Sequence, residues 1–137
     1  MTEEIDKLAW IHIKEKQLLS TRSKGKEAYY LPGGKREPGE SDAAALIREL
    51  KEELTIDVVP TSIRYVETFK AQADGKPTGV MVKMTCYEAD FTGEIAAASE
   101  IAELIWIDYR DYEKCSPVLK LILDWLLARE LIVATGG

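Results

Sequence analysis

Cysteine is scarce in this chain: Cys86 and Cys115 are the only two. They stand far apart, form no Cys-x-x-Cys unit and lack metal-ligand spacing, so they are expected as reduced, partly buried thiols. That suits a reducing compartment. An excess of positive charge is also missing. Eighteen Lys and Arg against 24 Asp and Glu leave a net charge of −6, which excludes a general grip on DNA or RNA backbones. No apolar run approaches the length of a membrane span. The start, Met1-Thr2-Glu3-Glu4, has neither a basic stretch nor an apolar core, so no signal peptide is expected. Repeats, low-complexity tracts and linkers are absent too. The expectation is a soluble, cytoplasmic protein with no membrane and no nucleic acid polymer as partner.

What is present has the balance of an ordinary globular domain. Hydrophobic residues make up 46% and charged residues 31% of 137 positions. That length suits one domain, residues 1–137, with a real core. An acidic protein that handles phosphates needs bound cations to offset its charge.

Ile5–Ile13 reads as a strand buried on both faces. A polar turn at Lys14-Glu15-Lys16 leads to a second strand from Gln17 to Ser20. Residues 22–26 read as a basic, flexible loop. Ala28–Leu31 is short and extended, and Pro32-Gly33-Gly34 is expected to stop it. Residues 41–54 form the clearest helix, capped by Ser41 or Asp42, with Ala43, Leu46, Ile47, Leu50 and Leu54 as its apolar stripe. Ile63–Ala71 and Val80–Phe91 suggest a long hairpin turning through Asp74–Pro77. Ile101–Ile107 is another strand. Ser116-Pro117 opens a second helix whose apolar face is Val118, Leu121, Ile122, Trp125 and Leu126. The tail Thr135-Gly136-Gly137 is expected to fray. Strands and helices in this order predict an α/β fold, with helices on the faces of a mixed sheet.

The chemistry concentrates where a glycine-rich loop runs into the first helix. Glu49, Glu52 and Glu53 are spaced i+3 and i+4, so they share one helical face. Clustered carboxylates repel unless a positive group joins them. Mg²⁺ or Mn²⁺ would do so, keeping waters and binding substrate phosphates. Arg48, four residues before Glu52, and nearby Lys51 offer salt bridges as the other explanation.

The spacing here is specific. Gly34, five residues, Glu40, seven residues, then Arg48-Glu49-Leu50-Lys51-Glu52-Glu53-Leu54-Thr55-Ile56 resembles the signature box of the Nudix hydrolase family. The lead-in Leu31-Pro32-Gly33-Gly34-Lys35 is similar too. Thr55 departs, standing where the family has Gly, and a β-branched residue suits a left-handed helix exit poorly. The resemblance implies a Nudix-like α/β/α sandwich with the signature loop-helix. It also implies Mg²⁺-dependent (or Mn²⁺-dependent) hydrolysis of a nucleoside diphosphate linkage by an activated water. A (deoxy)nucleoside triphosphate split to monophosphate and pyrophosphate is the expected substrate, as in the mutator-type members. ADP-ribose, nucleotide sugars or a non-hydrolysing nucleotide sensor are the alternatives. The proline that ADP-ribose subgroups place past the box is missing: Lys70-Ala71-Gln72 stands there, and Pro77 lies too far.

By the same resemblance Glu49, Glu52, Glu53 and the Gly33 carbonyl are metal ligands. Arg48 and Glu40 orient the carboxylates and tie the loop to the helix. Glu52, Glu53 or a downstream loop glutamate serves as base, with Glu100 the first candidate and Glu103 its rival. Arg22 and Lys35 contact phosphate. Tyr29, Tyr30, Phe69 and Tyr87 offer faces that can stack a base, Tyr30 foremost, or simply pack the core. Lone His12 is read as structural. A homodimer is common in the family, though no stripe here identifies an interface.

Overall fold

The strands begin where alternating and β-branched residues predict them, but the edges move. The computed structural model describes residues 4–134, so the tail at 135–137 lies outside the described residues. In chain order the elements are β1 (Glu4–Trp10), β2 (Ile13–Lys14), β3 (Gln17–Ser23), β4 (Gly33–Lys35), α1 (Asp42–Leu54), β5 (Asp57–Val58), β6 (Arg64–Gln72), β7 (Met81–Glu88), β8 (Phe91–Thr92), β9 (Ile101–Ile107) and α2 (Pro117–Ala128). Short 3-10 turns occupy Pro60–Ser62 and Tyr109–Lys114.

The main sheet runs β4-β1-β7-β6. β1 lies parallel to β7 and antiparallel to β4, while β6 and β7 form the expected antiparallel hairpin. A smaller antiparallel sheet runs β2-β3-β9, and β5 pairs with β8. The sheet is therefore mixed, with a helix on each face. Alternation along β1 sends Ile5 and Ala9 to the α2 side, where they join Ile122, Leu123 and Leu126. Trp10 goes to the α1 side, against Leu46, Leu50 and Leu54. Those three leucines are fully buried, each worth roughly 2 kcal/mol relative to exposure.

Several boundaries differ from the sequence reading. The long first strand breaks after Trp10, and only Leu8, Ala9 and Trp10 within β1 are fully buried. Ile13 instead opens β2, whose hairpin to β3 turns through Glu15 and Lys16, both at positive φ. Pro32-Gly33-Gly34 does not end an extended segment. Gly33 and Gly34 enter β4 and pair with Ala9 and Leu8. In α1, Ala43 is exposed and Ala45 is buried in its place. Ala45 sits one turn before Glu49, on the side where α1 also packs against β4. In α2, Leu121 is 41% exposed, and Leu119 and Leu123 take the buried positions. The 22–26 segment is strand as far as Ser23. Both cysteines are buried and free. Among the described residues, no helix is long and apolar enough to cross a membrane.

α1 begins and ends on side-chain and loop bonds. Ser41 caps it, its hydroxyl accepting the Ala44 amide at 3.1 Å. Its last carbonyls are met from the loop before β9: Ala98 N–H donates to Glu53 O and Ala96 N–H to Leu54 O, at 2.9 and 3.0 Å. Thr55 stands at φ 62°, ψ 21°, left-handed as the glycine of this position would be, and its hydroxyl donates to Glu94 O at 3.1 Å.

A β-branched residue in that conformation carries about 1–2 kcal/mol of strain. Replacement by glycine removes it but gives the unfolded chain about 0.4–1 kcal/mol more entropy to lose. Thr55→Gly is therefore expected to raise stability by up to about 1 kcal/mol. The urea midpoint reads this directly; a clear fall would show that the Glu94 bond outweighs the strain.

Candidate active site

Two glycines let the loop and the helix close on one another. A Cβ on Gly33 would lie 2.0 Å from Leu8 O, and one on Gly34 would lie 2.6 Å from Glu49 Cδ. Only hydrogen fits at Gly33, where the neighbour is backbone; at Gly34 a larger residue would push the Glu49 carboxylate aside. Gly33 N–H, at φ +143°, donates to Glu53 Oε1 at 2.8 Å. Arg36 ties the end of the loop to Asp42 at 2.5 Å and also pairs with Asp6.

Arg48 organises the acids around it. Its Nε and Nη2 donate to the two oxygens of Glu40 at 2.7 and 2.8 Å. Nη1 reaches Glu49 at 2.9 Å and Glu52 at 3.4 Å, and Nη2 also donates to Lys35 O at 3.1 Å. The Arg48 guanidinium, helped by the Glu37 amide, holds the Glu40 carboxyl at about 2. Glu49 and Glu53 move the other way. Burial pushes Glu49 up against the pull of Arg48. It takes Glu53 to about 7, the Gly33 amide opposing and the Glu49 charge adding to it. Glu52 is the most open of the three glutamates, its side chain 54% exposed.

The three glutamates face one region, yet each is occupied by a protein partner. Among the described residues no three acidic, histidine or cysteine side chains converge closely enough to enclose an ion as they stand. Arg48 Nη1 lies between Glu49 and Glu52, and Glu53 turns to Gly33. The donor set is nonetheless all oxygen and anionic, and burial of two of its members makes their charge costly without a cation. That chemistry fits a hard divalent ion.

Beside Glu53 opens a cavity of about 310 Å³ on the α2 side of β1 and β7. Gly33, Lys35 and Tyr30 line it, as does Glu53. So do Lys7, Lys26, Lys76, Asp74 and Ser116, none of which the sequence singled out. Lys7 had a legible signal: it occupies an inward position of β1 between Ile5 and Ala9. Tyr30 donates its hydroxyl to Asp74, and burial together with that carboxylate pushes its proton affinity up.

Other expected site residues lie apart. Arg22 donates to Glu103 at 2.5 Å and to Lys26 O at 3.0 Å, so Arg22 and Glu103 neutralise each other across β3 and β9. Neither lines the cavity. Glu100 is exposed in the turn before β9, outside the cavity, its carbonyl accepting the Lys24 amide. Of the four aromatics, Phe69 packs edge-on against Trp125, Tyr87 donates to Asp42 at 2.5 Å, and Tyr29 packs against the α2-side core. His12 stacks on Trp10 at 4.5 Å, with burial lowering its proton affinity. That is a packing role.

The chain resembles known proteins in sequence and in fold. The NUDIX domain family model matches residues 4–126. The uncharacterized Nudix hydrolase YvcI of Bacillus subtilis (strain 168) is 31% identical over 98 residues, 70% of this chain. The match spans 62% of that curated relative's own length, less than two thirds. The ORF135 protein of E. coli superposes with a TM-score of 0.72 at 25% identity, covering 94% of this chain and 92% of that one. A bifunctional NMN adenylyltransferase/ADP ribose pyrophosphatase from Francisella tularensis, complexed with AMP and a Mn ion, gives 0.66 at 21% identity. It covers 94% of this chain and 42% of that one and shares the fold.

The raised Glu53 sets a stability trend in metal-free protein. The folded chain keeps a proton that the unfolded chain, near 4.5, releases. Stability should therefore fall as pH rises between these values, up to about 7. Glu53→Gln should flatten that slope and stabilise the metal-free protein at pH above 7. Urea midpoints against pH, in chelator, compare the two; parallel curves would mean that Glu53 is not the buried acid responsible.

Proposed function

The chain belongs to the Nudix family, and from that premise we propose that residues 1–137 form one hydrolase domain cleaving a nucleoside diphosphate linkage. The observation that carries this is the fastening of the α1 glutamates to the glycine strand β4, at the mouth of a lysine-lined cavity. Glu49, Glu52 and Glu53, with the Gly33 carbonyl, would hold Mg²⁺ or Mn²⁺. When bound, the metal polarises the phosphate and acidifies the attacking water.

The chain's own residues supply the rest. Arg48 and Glu40 brace the carboxylates and fix α1 to its loop. A box carboxylate, Glu53 or Glu52, takes the proton of the water. Glu53 is preferred to Glu100 and Glu103 because it lines the cavity. Lys35 and Tyr30 meet the substrate there, Lys35 at a phosphate. Arg22, paired with Glu103, serves phosphate less directly.

For a nucleoside triphosphate, water adds to one phosphorus, the P–O bond to the departing phosphate breaks, and monophosphate and pyrophosphate leave. Supporting this substrate are the cationic cavity and the missing proline of the ADP-ribose subgroups. The ADP ribose activity named for the Francisella neighbour keeps ADP-ribose as the second reading.

Purified protein with Mg²⁺ should turn over a member of a panel holding nucleoside triphosphates, oxidised triphosphates, ADP-ribose and nucleotide sugars. Glu52→Gln and Glu53→Gln should each reduce kcat by about 10²-fold or more. Equal turnover by wild type and both variants would refute the assigned mechanism. Tight binding without turnover would instead indicate a sensor.

A further inference from the structure

Lys7 is placed where a charged residue is costly. It points inward from β1, between Ile5 and Ala9, both packed with the α2 core. It is half-buried. Burial lowers its proton affinity, and the charges of Lys35, Lys26 and Lys76 lower it further, while Glu53 raises it. All of these residues line the one cavity. Four lysines there face two carboxylates, Glu53 and Asp74, and Asp74 is already engaged by the Tyr30 hydroxyl. A chain with a net charge of −6 thus gathers positive charge in a cleft beside its acidic helix. Two carboxylates do not balance four lysines, and an anion entering the cavity would relieve the repulsion that remains.

A second feature points the same way. The twelve-residue helix α2 starts at the wall of this cavity, where Ser116, Pro117 and Val118 line it. Ser116 holds the N-cap position without capping the helix through its side chain. It is 2% exposed, and its Oγ is buried with no hydrogen-bond partner among the described residues. A buried hydroxyl without a partner is costly unless a ligand completes it. The positive end of the helix adds to the field. The floor beneath, with Val82 and Met84, is apolar and strengthens charge interactions above it.

We propose that Lys7 is a specificity-determining residue, holding with its neighbouring lysines an anionic group of the substrate inside the cavity. A preferred substrate then carries a further phosphate there, as the tail of a nucleoside polyphosphate does. A neutral sugar in that place leaves the lysines unmatched. The cleavage step rests on the hydrolase reading above; the anion site does not.

Two measurements separate these claims. Calorimetry of metal-free protein with tripolyphosphate, at low salt, tests the anion site alone. Wild type should bind. Lys7→Met should weaken binding by about ten-fold or more, while Lys7→Arg stays within about three-fold of wild type. Lys76→Met, on an exposed turn, repeats the test with no burden on folding and should also weaken binding. Lys70→Gln, an equal charge change at a lysine paired with Glu4 outside the cavity, should bind as wild type does. No binding by wild type, or equal losses in Lys7→Met and Lys70→Gln, would overturn the proposal. In turnover, Lys7→Met should lower kcat/KM for a triphosphate about ten-fold relative to ADP-ribose, chiefly through KM. Equal losses on both substrates would overturn the selectivity. If no substrate is turned over, the hydrolase reading fails, and the calorimetry still decides the anion site.

Discussion

The close approach of β4 to β1 admits no side chain at position 33, and its approach to α1 means that a side chain at position 34 would displace the Glu49 carboxylate. Leu8 O occupies the space a Cβ would take at one, and the Glu49 carboxylate takes it at the other. Much follows from this contact. Glu49 and Glu53 are drawn out of water against the strand, so their proton affinities rise. The Gly33 amide is freed to grip Glu53. The helix also packs along β4 beside these glutamates. The cavity opens at that same edge.

Charge is sorted over a short range. Arg48 gathers Glu40, Glu49 and Glu52 on one side, and Glu40 stays ionised because the guanidinium pairs with both its oxygens. The lysines collect on the other side, with Glu53 at the boundary. Two fields of opposite sign thus meet where a phosphate chain and a divalent cation would share a site. The net charge of the chain conceals this arrangement.

Much of the helix-and-loop chemistry was legible in the sequence because it is local. Ser41 as cap, α1 itself, the shared face of its glutamates and the partnership of Arg48 with Glu52 depend on spacing along a few turns. The β6–β7 hairpin also followed from alternation. What escaped depends on partners distant in sequence. Gly33 and Gly34 read as a stop because their pairing with β1 lies more than twenty residues away. Ala43 and Leu121 fit their stripes, but the packing surfaces lie against Ala45 in α1 and Leu119 and Leu123 in α2. Arg22 read as a phosphate contact and Glu103 as a rival base; register across β3 and β9 made them partners. Lys76 and Asp74 looked like turn residues, and only the fold brings that turn beside Tyr30.

The two amide bonds from Ala96 and Ala98 to the end of α1 are made by backbone alone. The side chains of Ala96 and Ala98 are therefore free to diverge among descendants of this chain, since the stitching does not read their identity, whereas Ile95 between β8 and these amides is held by the core. The length of the loop is not free in the same way. An added or deleted residue between Thr92 and Ala98 would shift one or both amides out of step with the carbonyls of Glu53 and Leu54. Drift in this part of the sequence should accumulate as exchanges of residue, with gaps falling elsewhere.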